Sequence, residues 1–373
     1  MLTKIACFLG NLFIEHLVRK YSPDSLKNIS PKTILIIKSG AIGDVLMTTP
    51  FIRALRKRFP SAEIDYLTGE ESAKVLEGNK NISNVIAVKS DLFHSLNPLN
   101  KLNLLKIIKQ KKYDICFILD KSWLANLFIS FTRIPIRIGF NRFGEGFANN
   151  ANVQYGALKH EIEYYLELAY LVGAKKEKDL SLDLHIAKED KKLAHQIFKK
   201  IKRAICIAPG GGKNPGVGID STRIWPEQNF VELINLLKDN KIILIGGKQD
   251  KELCNRIIQE ENSDLKKNII NLAGQTSLKE SAAVMQKCSC VITNDAGPMH
   301  IASAVNKKVV SIFGPTHPLR KAPLHKESKW IWKDEDKYDY RCDVYSTRYA
   351  EGKRFMEDVT PELVLDAIKE VLK

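Results

Sequence analysis

The chain has no usable pairing pattern for its cysteines. There are 7, an odd number, and none are spaced Cys-x-x-Cys. That excludes a disulfide framework and points to a reducing compartment. Cys116, Cys206 and Cys290 fall inside apolar runs, where a thiol behaves as a small hydrophobe. Cys288 and Cys290 have no His or further Cys beside them to complete a metal set, so both read as core. No apolar run is long enough to cross a bilayer. Residues 1–21 carry Leu2, Ile5, Leu9, Leu12, Phe13 and Leu17 at helical spacing, but Lys4, Glu15, Arg19 and Lys20 interrupt them. No small-residue cleavage site follows, so the segment reads as an amphipathic helix. Such a helix either docks on the protein's own body or lies on an anionic membrane. Internal repeats and low-complexity tracts are absent. So are the Gly-x-Gly-x-x-Gly fingerprint and a Gly-Lys-Ser/Thr phosphate loop.

What is present in excess is positive charge. Lys and Arg outnumber Asp and Glu 58 to 43, a formal net charge of +15. Either the partner is acidic (nucleic acid, an anionic membrane or a phosphorylated substrate), or the lysines are simply solvated helix faces. The basic residues are spread over helices, as at Arg53, Arg56, Lys57 and Arg58, with no aromatic interleaving. Nucleic acid is therefore not the expected partner. With 373 residues the chain is long enough for two domains.

Continuous apolar strands alternate with helices. Strands are expected at 33–38, 64–67, 85–88, 115–119 and 136–140. A second set is expected at 204–208, 242–245, 268–272, 291–293 and 309–313. Strands apolar on both faces imply parallel sheets covered by helices. The fold class is α/β, with two Rossmann-like doubly wound domains facing across a cleft. The expected parts are an N-terminal extension, 1–30; a first domain, 31–170; and a second, 171–373, whose last helix could pack back on the first. Residues 44–59 read as one helix. Residues 326–352, dense in charge, read as surface loop.

Ligands of open parallel sheets bind at the carboxyl ends of the strands, and four loops fall there. Lys38-Ser-Gly-Ala-Ile-Gly-Asp44 turns tightly at Gly40 and Gly43 and puts a carboxylate, Asp44, at its end. That acid either stabilises a helix start or serves as general base; the other loops favour the base. Ala208-Pro-Gly-Gly-Gly-Lys213, running on to Arg223, Trp225 and Pro226, has exposed backbone N–H groups and fixed positive charge, an anion-binding composition. Gly246-Gly247 offers bare backbone to a nucleoside. Asn294-Asp-Ala-Gly-Pro-Met-His300 reads as strand, turn and helix start, where the helix end attracts phosphate and Asp295 and His300 flank the spot. The alternative there is a capped helix with a satisfied histidine. An Asp334-Glu-Asp336 spelling lies between Lys333 and Lys337 in the charged loop and reads as solvated surface, not as a metal site.

The segments I-K-S-G-A-I-G-D-V-L-M-T-T-P (37–50), R-I-W-P (223–226), L-A-G-Q-T-S-L (272–278), T-N-D-A-G-P-M-H-I-A-S-A (293–304) and F-G-P-T-H-P (313–318) stand in fixed order. Together they resemble glycosyltransferase family 9, the ADP-heptose:lipopolysaccharide heptosyltransferases, over nearly everything from Ile34 to Leu372. The resemblance implies a GT-B fold and inverting sugar transfer with neither metal nor cofactor. Asp44 takes the place of the family's base, in an acceptor-side loop with Ser39, Gly40 and Gly43. Arg223, Lys213, Ala296, Gly297 and His300 would hold the donor diphosphate. Asp295, Gly246, Gly247, Thr276 and Ser277 would hold the nucleoside and ribose. Family members commonly have Thr where this chain has Ala296, and the family's Cys-rich C-terminal stretch is reduced to Cys342. The partners implied are ADP-heptose, a lipopolysaccharide core acceptor and the anionic cytoplasmic face of the inner membrane, with no nucleic acid. Two alternatives stand: another nucleotide-sugar donor, or a non-catalytic protein binding a nucleotide sugar or an anionic lipid.

Overall fold

The computed structural model describes residues 2–89, 92–93, 97–211, 213–214, 218–219, 221–338 and 354–373. The chain forms two compact units, Met1–Leu180 and Ser181–Lys373.

The first unit holds six parallel strands: β1 (Thr33–Ile37), β2 (Glu63–Gly69), β3 (Asn84–Val88), β4 (Ile115–Ile118), β5 (Ile136–Asn141) and β6 (Ala151–Gln154). They lie in the order β3-β2-β1-β4-β5-β6. β1 and β4 are central and pair residue by residue, Ile34 with Ile115 through Ile37 with Ile118. Both are buried on both faces, which is why their sequences run apolar without alternation. β6, a short polar edge strand, carries no such signature and was not expected. The helix expected over 44–59 is two helices, Ile42–Leu46 and Thr49–Arg58. Pro50 explains the break: it has no N–H to continue the first helix, but fits the first turn of the second. Phe51 of that second helix packs edge-on to Phe117 of β4, ring centroids 5.3 Å apart.

The N-terminal helix spans Leu2–Phe13. Among its described side chains, from Cys7 on, the contacts with the rest of the first unit are made by small and polar residues. Cys7 and Gly10 are buried, and Asn11 Nδ2 donates to the Gly144 carbonyl at 3.0 Å. A Cβ at Gly10 would sit 2.5 Å from the Phe147 ring, so only glycine allows this approach. Leu9, Leu12 and Phe13 of the expected stripe, with Phe8 and Leu17, remain exposed.

The second unit begins with β7 (Ile205–Ala208), and a separate antiparallel pair follows, β8 (Lys213–Asn214) with β9 (Gly218–Ile219). β10 (Ile242–Leu244), β11 (Ile269–Asn271), β12 (Cys290–Asn294), β13 (Val309–Phe313) and β14 (Lys329–Trp332) follow. The six-stranded sheet runs β11-β10-β7-β12-β13-β14, the order of the first unit repeated. β14 corrects the surface-loop expectation for 326–352. Residues 329–332 close the sheet edge beside β13, half-exposed and therefore mixed in polarity. The rest of that segment, 339–352 with Cys342, lies outside the described residues. The last helix is Pro361–Leu372. Val364, Ile368 and Val371 belong to the second unit's core, with Trp225 and Phe230.

Candidate functional site

In the order 3-2-1-4-5-6 the chain reverses direction between the first and fourth strands, opening a crevice at their carboxyl ends. In the first unit that switch point lies between β1 and β4, where the loop 38–44 stands. In the second it lies between β7 and β12, where 208–211 and 294–297 stand.

At the first switch point Asp44 is half-buried in the first turn of the helix Ile42–Leu46, and Ala41 before it supplies no side-chain cap. The loop is pinned by a residue the sequence reading passed over. Asp120, just past β4, accepts from Lys38 Nζ at 2.9 Å and from the Ser39 N–H at 2.9 Å. Ser72 Oγ donates to the Gly40 carbonyl at 2.9 Å. A Cβ at Gly40 would lie 2.9 Å from Asp44 Cβ, 3.0 Å from Asp44 Oδ2 and 3.0 Å from Lys38 Cε. That crowding is the reason for glycine at 40. Gly43 is buried within the helix. A second pair lies alongside: Lys121 Nζ to Glu161, which also accepts from the Tyr155 hydroxyl. Lys121 sits 4.2 Å over the Tyr155 ring.

Charge balance in this cluster is tight. Burial opposes the Lys38 ammonium, but Asp120 and then Asp44 outweigh it and hold its pKa above that of an ordinary lysine. Burial likewise opposes ionised Asp120, and Lys38 with the Ser39 N–H overcomes it, so its carboxyl titrates below the usual range. For Lys121 burial prevails over Glu161 and the ammonium is pushed down to about 8.

At the second switch point Arg223 and Asp295, assigned from sequence to different parts of a nucleotide, meet each other. Arg223 Nη2 lies 3.0 Å from Asp295 Oδ2 and also donates to the Asp295 carbonyl. The Asp295 side chain is 1% exposed. Burial works against its charge, but Arg223, Lys321 and His300 hold its carboxyl below the usual range. Lys321, after β13, was not singled out in the sequence. Asn294 ties the loops together, accepting from the Trp225 N–H at 3.3 Å and donating to the Pro209 carbonyl at 2.7 Å.

Ala296 is the N-cap of the helix Gly297–Val305 and gives it no side-chain cap. Pro298 has no N–H, and the Met299 N–H turns back to the Ala296 carbonyl at 3.0 Å. Fixed cations, more than backbone donors, therefore make this end positive. His300 is buried on the same helix. A Cβ at Gly297 would meet open space. The Lys213 backbone lies in β8, and its side chain is outside the described residues.

Past β10, Gly246 and Gly247 are shaped by Asp250, also unremarked in the sequence. A Cβ at Gly246 would come 2.6 Å from Asp250 Cβ, and the Gly247 N–H donates to Asp250 Oδ2 at 2.8 Å. Thr276 Oγ1 and Ser281 Oγ share a hydrogen bond of 2.7 Å, and Ser277 caps the helix Leu278–Lys287. The Asp334-Glu-Asp336 spelling is not solvated surface throughout. Asp334 is buried, paired with Lys337 at 2.7 Å and accepting the Met356 N–H at 2.9 Å. Met356 needs that anchor because its φ is +64°.

Two doubly wound units with loop clusters at both switch points define a two-domain glycosyltransferase architecture of the GT-B type. The family model "Glycosyltransferase family 9 (heptosyltransferase)" matches residues 101–349, and the chain belongs to that family. It is a glycosyltransferase enzyme. Lipopolysaccharide heptosyltransferase 2 of Salmonella typhimurium is 27% identical over 352 residues, 91% of this chain and 98% of that one. Lipooligosaccharide heptosyltransferase 2 of Haemophilus influenzae is 25% identical over 358 residues, 91% and 99% of the two chains. The solved structure of Escherichia coli ADP-heptose lipopolysaccharide heptosyltransferase II superposes with a TM-score of 0.70 at 25% identity, covering 91% of this chain and 98% of that one. A family 9 glycosyltransferase from Veillonella parvula superposes with a TM-score of 0.74 at 21% identity, covering 91% and 97%.

Proposed function

We propose that the chain transfers heptose from ADP-heptose to a sugar of the lipopolysaccharide inner core, with inversion and without a metal. The observation that carries the reading is the coverage of 91% of the chain by relatives named lipopolysaccharide heptosyltransferase 2, with Asp44 and Arg223 at the two switch points. Asp44 takes the proton of the attacking acceptor hydroxyl, a step typically worth about 10²–10⁴-fold. The leaving diphosphate is stabilised by Arg223, Lys213, His300 and the helix start at Ala296 and Gly297, with fixed positive charge in place of a metal. Asp295 acts through Arg223, whose guanidinium it orients. Gly246, Gly247, Thr276 and Ser277 line the nucleoside side.

The enzyme works at the cytoplasmic face of the inner membrane as a peripheral protein. Among the described residues no helix is long and apolar enough to cross a membrane. The N-terminal helix instead turns Phe8, Leu9, Leu12 and Phe13 outward, on a chain of net charge +15. That combination suits shallow insertion at an anionic surface.

The test is a donor panel, ADP-heptose against UDP-sugars, on a heptose-deficient core acceptor in excess EDTA. Transfer from ADP-heptose should persist in EDTA and should fall by roughly two orders of magnitude or more in Asp44→Asn, with ADP binding kept. Strict dependence on magnesium or manganese, use of a UDP-sugar alone, or near-native turnover in the variant would each refute the corresponding part.

A further inference from the structure

Asp44 stands among buried charges that come in pairs. Lys38 of the loop after β1 meets Asp120 after β4 at 2.9 Å, and Lys121 meets Glu161 of the helix Glu161–Leu171. Tyr66 of β2, hydrogen-bonded to Thr48 at 3.0 Å, and Tyr165 of the helix 161–171 also feel the Asp44 charge. Each pair is neutral in sum. Removing one member leaves a full unit of charge close to Asp44 in a poorly solvated place, where a charge counts for far more than in water.

The Lys38–Asp120 pair is also mechanical. Asp120 holds the side chain of Lys38 with one oxygen and the backbone of Ser39 with the other. Asp44 Oδ2 and Lys38 Cε both lie 3.0 Å from the point a Gly40 Cβ would occupy, so the lysine stem runs beside the carboxylate. We propose that Lys38 and Asp120 are positioning residues for Asp44: the pair fixes where the carboxylate points and sets the pH at which it becomes a base. The inference rests on Asp44 being the general base.

The two partners should act in opposite senses. Without the Asp120 charge, Lys38 keeps Asp44 and Glu161 as neighbouring anions and stabilises Asp44 as the carboxylate. Asp44 then becomes a weaker base that ionises at lower pH. Without Lys38, Asp44 and Asp120 are two anions in one buried cluster, and Asp44 ionises at higher pH. The experiment is the pH profile of kcat/KM, whose acid limb reports the base of the free enzyme. In Asp120→Asn the limb should move down by about one pH unit, and in Lys38→Met up by about one, the low end for a single nearby charge. Lys38→Arg, which keeps the charge, should leave the limb in place, and Asp120→Glu should shift it less than Asp120→Asn.

Circular dichroism and a cooperative melting transition report whether each variant is folded; the conservative pair serves if the first two fail. If folded variants turn over slowly on an unmoved limb, or both move it the same way, the pair is only structural and the inference is overturned. The base reading then survives, provided Asp44→Asn is inactive. If Asp44→Asn keeps both turnover and the limb, the base reading falls and takes the inference with it.

Discussion

Arg223 has a structural partner in Asp295 and a proposed role at the diphosphate. Its partner Asp295 is fully buried, so breaking the pair from either side leaves an uncompensated charge, which in buried pairs costs about 3–5 kcal/mol. Arg223→Ala should therefore weaken ADP binding by roughly 1–3 kcal/mol, the range for a lost charge-assisted hydrogen bond, and lower the melting temperature as well. Titration calorimetry with ADP checks the first and calorimetric unfolding the second. Unchanged ADP affinity would remove Arg223 from the diphosphate site.

Asp295 adds a pH signature. Its folded pKa is depressed, with Arg223 and Lys321 prevailing over burial. The stability it contributes is therefore present above its unfolded pKa of about 3.9 and is lost as pH falls through the lower folded value. Asp295→Asn should be less stable than wild type at neutral pH, and the difference should shrink as the pH drops below 4. A stability gap that is constant from pH 7 to pH 3 would mean that the charge of Asp295 contributes nothing to it.

At the scale of elements, what the sequence disclosed is what depends on neighbours in the chain. β1, β7, β12 and β13 were readable because strands buried on both faces run mostly apolar, and each is followed within three residues by glycine, proline or aspartate. The loops bearing Asp44, Arg223 and Asp295 could be placed for the same reason. The partners of those residues could not. Asp120 lies 82 residues from Lys38, and Asp295 lies 72 from Arg223. Only the sheet order brings them together. Asp120 and Lys121 did carry one local signal, since they directly follow the apolar strand β4 at the end where ligands bind. Edge strands β6 and β14 escaped because their half-exposed residues carry mixed polarity.

The N-terminal helix was legible as a helix, but its docking was not, because among its described side chains the contacts come from a cysteine, a glycine and an asparagine. Gly10→Leu should push it off Phe147. Hydrogen exchange over the helix should then lose protection while transfer to a short soluble acceptor stays at the wild-type rate. Retained protection would show that the Gly10 contact does not hold the helix.

At the scale of the whole molecule, the proposed membrane association would draw on the docked helix and the net charge together. The helix is held to the first unit by one face, so its exposed side chains are presented rather than collapsed against the protein. Phe8 is 67% exposed and Leu17 83%. Fully burying one such side chain contributes about 1.5–3 kcal/mol. Each basic residue near an anionic surface adds about 1 kcal/mol, screened over about 10 Å at 0.1 M salt. The expected behaviour is reversible binding to vesicles containing anionic phospholipid, weakened by salt and nearly absent on neutral vesicles. Replacing Leu9, Leu12 and Phe13 together with Ser should abolish sedimentation with those vesicles. The fold and transfer to a soluble acceptor should be intact, because none of the three is buried. Unchanged sedimentation of the triple variant would show that the basic surface alone does the binding. Sedimentation of the wild type with neutral vesicles at high salt would show that charge plays no part. Loss of folding in the variant would mean that the outward face is covered by the protein itself, and the membrane reading would fall with it.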